Sequence, residues 1–347
     1  MNEIRVGLIG YGYSGATFHA PLIRAAKGLQ LTRICSGNPE KVRQDFPHIS
    51  LVDDPGAVSG SDDINLVVIA TTNTTHHALA KQALLANKHV VLEKPFTVTV
   101  ADAEELVNLA QQKNLVLSVF HNRRWDSDFL TARHCIESGL LGKINTYEAH
   151  FDRYRPTIRQ RWREQDNPGS GCLYDLGSHL IDQALVLFGS PDTIACDIGI
   201  QRPGGAAADY FHLVLSYGTQ RIILHSSAIV KQPGPRFVLH GDQGSFTKHG
   251  LDPQESALVR RELPGYPGWG KECVEQHGEI TFTAGGLNIT GAVESLPGSY
   301  ESYYRGIVDA IAHGSPPPVA ARDALAVIKI IELAMRSNAE KRSIAFE

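Results

Sequence analysis

Asp175 and His179 stand four residues apart in the stretch YDLGSHLID at 174–182. On a helix that spacing puts both on one face, close enough for the carboxylate to orient the imidazole or stabilise its charged form. A general base that takes a hydroxyl proton needs such a pair. The same spacing suits a metal, with Asp182 as a further ligand, and it suits an ordinary structural pair. Upstream, Glu93-Lys94-Pro95 follows the apolar run HVVL at 89–92. Open parallel sheets bind ligands beyond the carboxyl ends of their strands. Lys94 is therefore placed to hydrogen-bond a substrate hydroxyl and favour its alkoxide, unless it is a plain surface lysine before a turn. Asn122-Arg123-Arg124-Trp125, Tyr154-Arg155 and Arg161-Trp162-Arg163 add guanidinium and aromatic groups. From these, Arg123, Tyr154, Arg155, Trp162 and Arg163 are candidates to hold a hydroxyl-rich or acidic substrate through fork-like donors; the competing reading is salt bridging at a domain junction.

A second group of residues points to a dinucleotide. Gly10-Tyr11-Gly12-Tyr13-Ser14-Gly15 comes straight after the run IRVGLI at 4–9 and opens a helical stretch. Gly10 permits the tight turn, Gly12 lets a pyrophosphate approach the backbone, and Gly15 lets helix and strand pack closely. The helix N-terminus beyond supplies unpaired N–H groups and a positive dipole end. A site preferring NAD carries a carboxylate where the second strand ends, near Cys35, but the chain reads SGNPEK at 36–41. With no acid there, a 2′-phosphate meets no repulsion, and Ser36, Asn38 and Lys41 could bind it; Lys41 could also be a solvated helix charge. His76 and His77 are neighbours at a helix start, point in different directions and do not share a metal. Packing on the cofactor's edge or helix-end hydrogen bonding suits them better.

The elements that must position these groups follow from hydrophobic patterning. β-branched runs at 4–9, 31–35, 66–71, 89–93 and 115–120 alternate with helical stretches such as 75–87 and 100–113. That alternation predicts βαβ units on a doubly wound parallel sheet. After residue 122 the pattern changes: helices at 126–138 and 171–188, then strands at 144–154, 194–201, 210–217, 221–230, 236–240 and 279–283. Turn signals at 217–219 and 241–244 make this second sheet mostly antiparallel, and helices at 300–313 and 321–337 close the chain. The expected domains are 1–121, binding the dinucleotide, and 122–347, binding substrate and mediating oligomerisation, with the last helix free to pack back on the first domain. Too few helices follow the second sheet to cover both faces, so its free face is the expected contact of a homodimer or homotetramer.

Composition narrows the partners. The 347 residues are 42% hydrophobic and 20% charged, a folded chain's profile, with a net charge of -4 and no block of like charges. No nucleic acid or anionic membrane surface is expected. The first apolar run is too short for a signal peptide and no stretch reaches the ~18 apolar residues of a membrane span, so a cytoplasmic protein is expected. Cys35, Cys135, Cys172, Cys196 and Cys273 form no Cys-x-x-Cys pair and read as reduced thiols; no metal centre is expected from them.

GYGYSG at 10–15, EKP at 93–95, HNRRWD at 121–126 and YDLGSHLID at 174–182 resemble, in order and spacing, the glucose-fructose oxidoreductase, inositol dehydrogenase and MocA superfamily. RWRE at 161–164, LYDLGSHLIDQAL at 173–185, DYFHL at 209–213 and GPRFVLHGDQGSF at 234–246 are similar to its NADP-dependent scyllo-inositol dehydrogenase branch. The resemblance implies an α/β fold, with an N-terminal doubly wound Rossmann-type sheet and a C-terminal α+β domain built on a large, mostly antiparallel sheet. It implies catalytic Lys94, Asp175 and His179, and cofactor contacts at Gly10, Gly12, Gly15, Thr71, Thr72, Asn73, Glu93 and Lys94. His76 takes the place of the histidine in the family's T-P-N-x-x-H motif, with Thr72 where proline is usual. SGNPEK resembles the adenosine-phosphate loop of the family's NADP-binding branch. The expected activity is hydride transfer between the nicotinamide of NADP(H), with NAD(H) weaker, and a secondary hydroxyl or ketone of a cyclic polyol or sugar. A nucleotide-sensing scaffold or transcriptional co-regulator with the same fold is the alternative. Such a sensor would be free to lose Lys94, Asp175 and His179, which are all present.

Overall fold

The computed structural model describes residues 3–347 and shows an α/β protein of two compact units. The first unit takes in the chain up to Asn122 together with Gln254–Trp269 and Ser299–Leu325; the second takes in Arg123–Pro253, Gly270–Gly298 and Ala326–Glu347.

In the first unit, β1 (Ile4–Ile9), β2 (Leu29–Cys35), β3 (Ser50–Val52), β4 (Leu66–Ile69), β5 (His89–Leu92) and β6 (Leu117–Val119) form one sheet in the order β3-β2-β1-β4-β5-β6. Every pairing is parallel. The run LVVI of β4 is wholly buried, as a strand covered on both faces requires. The helices α1 (Ala20–Ala25), α2 (Pro39–Asp45), α3 (Gly56–Ser59), α4 (His76–Leu85) and α5 (Val100–Gln112) make the crossovers. In α5 the positions Ala103, Leu106, Val107 and Ala110 form the buried stripe, and the Thr99 hydroxyl caps its start by accepting the Asp102 N–H at 3.2 Å. The strand order reverses between β1 and β4, so the turns after these two strands border the crevice where such sheets bind ligands. β2 begins two residues earlier than its apolar run suggested, and β3, three residues at the sheet edge, carries too short a pattern to read.

The second unit opens with α6 (Ser127–Glu137), β7 (Ile144–His150), α7 (Ser178–Phe188), β8 (Thr193–Gly199), β9 (Tyr210–Tyr217), β10 (Gln220–Ser227), β11 (Phe237–Gly241) and β12 (Gly244–Lys248). The chain then adds α8 (Gln254–Val259) to the first unit, β13 (Gly278–Ala284) and β14 (Leu287–Val293) to the second, and α9 (Glu301–His313) to the first. It ends in α10 (Ala321–Glu340) and β15 (Ile344–Ala345). The nine strands order as β14-β13-β12-β11-β7-β10-β9-β8-β15, antiparallel except where β10 lies parallel to β7. Alternation sets the two faces. Phe211, Leu213 and Leu215 of β9 and Ile222 and Leu224 of β10 are buried on one face, while His212 and His225 are half-buried on the other.

This unit also encloses charge. Lys248 Nζ lies 2.9 Å from Glu272 Oε2 with both side chains fully buried, and it donates to the carbonyls of His249 at 2.7 Å and Gln276 at 2.6 Å. Among the described residues no helix is long and apolar enough to cross a membrane.

Candidate functional site

The glycine turn of the first unit separates into three roles. Gly10 follows β1 at φ +98°, and a Cβ there would sit 2.5 Å from the Ala70 carbonyl oxygen. A Cβ on Gly15 would come within 2.1 Å of the Gly10 carbonyl oxygen, so this glycine is needed for close packing. At Gly12 a Cβ would meet no protein atom within 4 Å. The space beside Gly12 is therefore open to a ligand, the fit expected of a dinucleotide's pyrophosphate.

The helix beyond the turn differs from the sequence expectation. Gly15–His19 is a π-helical turn before α1, a kind of irregularity frequent at functional sites. It carries His19 inward, where the Nε2–H donates to Glu93 Oε1 at 3.2 Å and the Tyr304 hydroxyl lies 2.6 Å from Nδ1. Ser14 Oγ also donates to Glu93 Oε1, and the Lys94 N–H donates to Glu93 Oε2 at 2.8 Å. Burial alone would push the Glu93 carboxyl up; the His19 hydrogen bond and charge, Lys94 and Ser14 overcome it and hold the pKa near 2. Glu93 thus engages both oxygens with protein donors, joining the glycine helix to the residue that follows β5. Ser14, His19 and Tyr304 were not singled out from the sequence.

Lys94 is half-buried at the end of β5. His76 starts α4, and its Nδ1 lies 2.9 Å from the Pro95 carbonyl oxygen. A carbonyl only accepts, so Nδ1 carries the proton and Nε2 the lone pair. That buried Nε2 has no hydrogen-bond partner among the described residues, which suits a ligand donor. Burial, the largest influence, lowers the His76 pKa and keeps the ring neutral. Thr71, Thr72 and buried Asn73 form the turn between β4 and α4, with the Thr71 and Thr75 hydroxyls 2.7 Å apart.

After β2 the loop folds on itself. Ser36 Oγ accepts the Asn38 N–H at 3.1 Å, and Asn38 Oδ1 caps α2 through the Lys41 N–H, also at 3.1 Å. Lys41 is half-buried and turns back toward the first strand's end. Its Nζ donates to the Gly12 carbonyl at 3.3 Å and sits 5.4 Å from the centre of the Tyr11 ring, beside the glycine turn.

In the second unit Asp175 belongs to a π-helical turn, Leu173–Gly177, and His179 to the first turn of α7. The helix expected from 171 therefore opens irregularly. Asp175, Arg155 and Arg163 line one solvent-open cavity with Arg153, Arg161 and Arg202. Arg163 Nε lies 3.6 Å from Asp175 Oδ1. Arg202 is fixed by Asp209 at 2.7 Å and Glu164 at 3.1 Å. Burial, with the charges of Arg159 and Arg161, lowers the Arg155 pKa, while Asp175 and Glu164 oppose the shift. Arg153 and Arg202 were not singled out from the sequence, and Arg163 reaches the cavity from a 3-10 turn, Trp162–Glu164.

Other candidates lie elsewhere in this unit. Arg123 is buried, paired with Asp126 at 3.0 Å and stacked 4.8 Å over Phe151. Tyr154 is exposed beneath Lys231, and Trp162 sits beneath the Arg163 guanidinium. The three-ligand metal reading of Asp175, His179 and Asp182 fails, because Arg124 grips both Asp182 oxygens at 2.8 and 2.7 Å.

Comparison with known proteins gives the chain's family and fold. Residues 4–121 match the model of an oxidoreductase family NAD-binding Rossmann fold, and residues 133–346 match the same family's C-terminal alpha/beta domain. Across 347 residues the chain is 42% identical to the scyllo-inositol 2-dehydrogenase (NADP(+)) IolW of Bacillus subtilis, covering 100% of this chain and 97% of that protein. It is 45% identical over 343 residues to the oxidoreductase YdgJ of Escherichia coli, covering 99% of each. Among solved structures, the oxidoreductase yvaA of Bacillus subtilis superposes with a TM-score of 0.97 at 42% identity, covering 100% of this chain and 99% of that one. An oxidoreductase of Yersinia pestis superposes with a TM-score of 0.95 at 47% identity, covering 100% and 98%.

Proposed function

This chain belongs to the glucose-fructose oxidoreductase, inositol dehydrogenase and MocA family of oxidoreductases, and from that premise we propose an NADP-preferring dehydrogenase of cyclic polyols or their keto forms. The observation that carries the cofactor preference is the loop after β2, which has no carboxylate where a ribose-gripping acid would stand and sets Lys41 beside the glycine turn. The glycine turn at 10–15, the turn at 71–73 and His76 would hold the cofactor, which would supply a hydride acceptor or donor at C4 of its nicotinamide.

The chain's own groups do the rest. Lys94 donates a hydrogen bond to the reacting oxygen and stabilises it as the alkoxide. The His179 imidazole takes the hydroxyl proton, and Asp175 steadies the charge that results. His76 presents its Nε2 lone pair to a donor on the cofactor. Arg155 and Arg163 orient substrate hydroxyls from the cavity they share with Asp175. The Bacillus relative's name supports scyllo-inositol or its keto form as substrate. The same arginine cavity favours a second reading, a sugar bearing an acidic group.

Steady-state kinetics with NADP+ and NAD+ on inositols, pyranoses and sugar acids, and with NADPH and NADH on inososes, open-chain aldehydes and 2-keto acids, test both parts. Higher kcat/KM with NADPH is expected, reversed by Ser36→Asp. Higher kcat/KM with NADH in the wild type ends the cofactor proposal. Turnover of open-chain aldehydes or 2-keto acids alone ends the substrate proposal and leaves the dehydrogenase.

A further inference from the structure

On the half-buried face of the second unit's sheet, neighbouring strands align a row of histidines. His150, the last residue of β7, is the register partner of His225 on β10, which in turn pairs with His212 on β9. The His150 and His225 rings lie 5.1 Å apart. Asp152, two residues past His150 and so on the same side, reaches between them. Its Oδ2 is 3.3 Å from His150 Nδ1 and its Oδ1 is 3.6 Å from His225 Nε2.

We propose that His150, Asp152 and His225 form a binding site for a divalent first-row transition metal, with Zn²⁺ as the best-matched ion. Two imidazole nitrogens and one carboxylate oxygen are a donor set that such ions take, leaving a position for water. Zn²⁺ held at its usual bond lengths of 2.0–2.1 Å separates tetrahedral donors by about 3.3 Å. Donor atoms of the three residues all lie within 4.8 Å of one another, so small side-chain rotations close the shell. The carboxylate is already oriented by an outer partner, since the Ser227 N–H donates to Asp152 Oδ1 at 2.9 Å. Glu148 Oε2, 3.7 Å from His150 Nε2, adds negative charge on the same side. A cavity lined by His150, Asp152, Pro233, Pro235 and His249 gives the ion a route from solvent.

The test is titration of the full-length, metal-stripped protein with Zn²⁺ against a chromophoric chelator, repeated with Co²⁺ to read coordination by visible absorption. One ion per chain and a four-coordinate Co²⁺ spectrum are expected. His225→Ala and His150→Ala should weaken binding by more than about 100-fold, because outer-partner changes alone cost 10–100-fold. Asp152→Asn, which keeps size and shape, should abolish the Co²⁺ band while circular dichroism and NADPH binding persist. His150→Gln serves if the alanine variant does not fold. No ion bound by the wild type, or unchanged affinity in the His225 and Asp152 variants, overturns the site.

Discussion

Replacing Glu93 by glutamine removes one negative charge and turns one acceptor into a donor facing donors. The wild-type carboxyl is held near 2 against an ordinary 4.5. At about 1.4 kcal/mol per pH unit, that gap corresponds to about 3 kcal/mol of folded-state stabilisation of the carboxylate. A depressed pKa stabilises the fold above the unfolded pKa, and the benefit is lost as pH falls through the folded one. Wild type should therefore exceed Glu93→Gln by about 3 kcal/mol from pH 7 down to about 4.5. Below that, the difference should shrink steadily and disappear near pH 2. In urea, with a slope near 2–3 kcal/mol/M, the midpoint should drop by about 1 M at pH 7. The assay is urea unfolding of both proteins at pH 7, 5, 4 and 3. A variant as stable as wild type at pH 7, or a difference unchanged between pH 5 and 3, would remove Glu93 from this stabilising role.

Three other outcomes are expected. Gly12→Val should fold normally yet bind NADPH at least ~100-fold more weakly by fluorescence titration, whereas Gly15→Ala, whose Cβ would meet the Gly10 carbonyl oxygen at 2.1 Å, should lose stability as well. Lys94→Ala and His179→Ala should each lower kcat by at least ~100-fold while NADPH still binds, and normal turnover in either would remove its assigned role. Lys248→Met leaves Glu272 buried without its cation and should cost about 3–5 kcal/mol in chemical unfolding; a change under about 1 kcal/mol would contradict the buried pair.

What could be read from the sequence was whatever is local. The glycine turn and the missing acid after β2 each lie within one short segment, and the βαβ alternation is a succession of such segments, so spacing alone carried them. The partners of Glu93 could not be read, because Ser14, His19 and Tyr304 come from distant segments that meet only in the folded unit. The π-helical turns carrying His19 and Asp175 escaped because apolar spacing does not distinguish a single wide turn from an α-helix. β14 was missed for another reason. Its residues are almost all exposed and only the short alternation LNIT at 287–290, with the hairpin glycines at 285 and 286, marks it. Likewise His150 and His225, 75 positions apart, become neighbours only through the parallel pairing of β7 and β10.

The first unit is assembled from three separated pieces of chain, and that has a consequence during synthesis. Its six strands are complete by Val119, but Phe120 packs edge-on against Tyr303 at 4.9 Å, Ser118 Oγ donates to the Val319 carbonyl at 2.8 Å, and His19 waits for Tyr304. At 5–20 residues per second, the ribosome needs roughly 10–35 s to travel from Asn122 to Ser299. Throughout that interval the nascent sheet carries an uncovered aromatic surface, a target for chaperones and a hazard on crowded polysomes. A fragment ending at Asn122 would be frozen in this state, holding the glycine turn but lacking the late helices that finish its core.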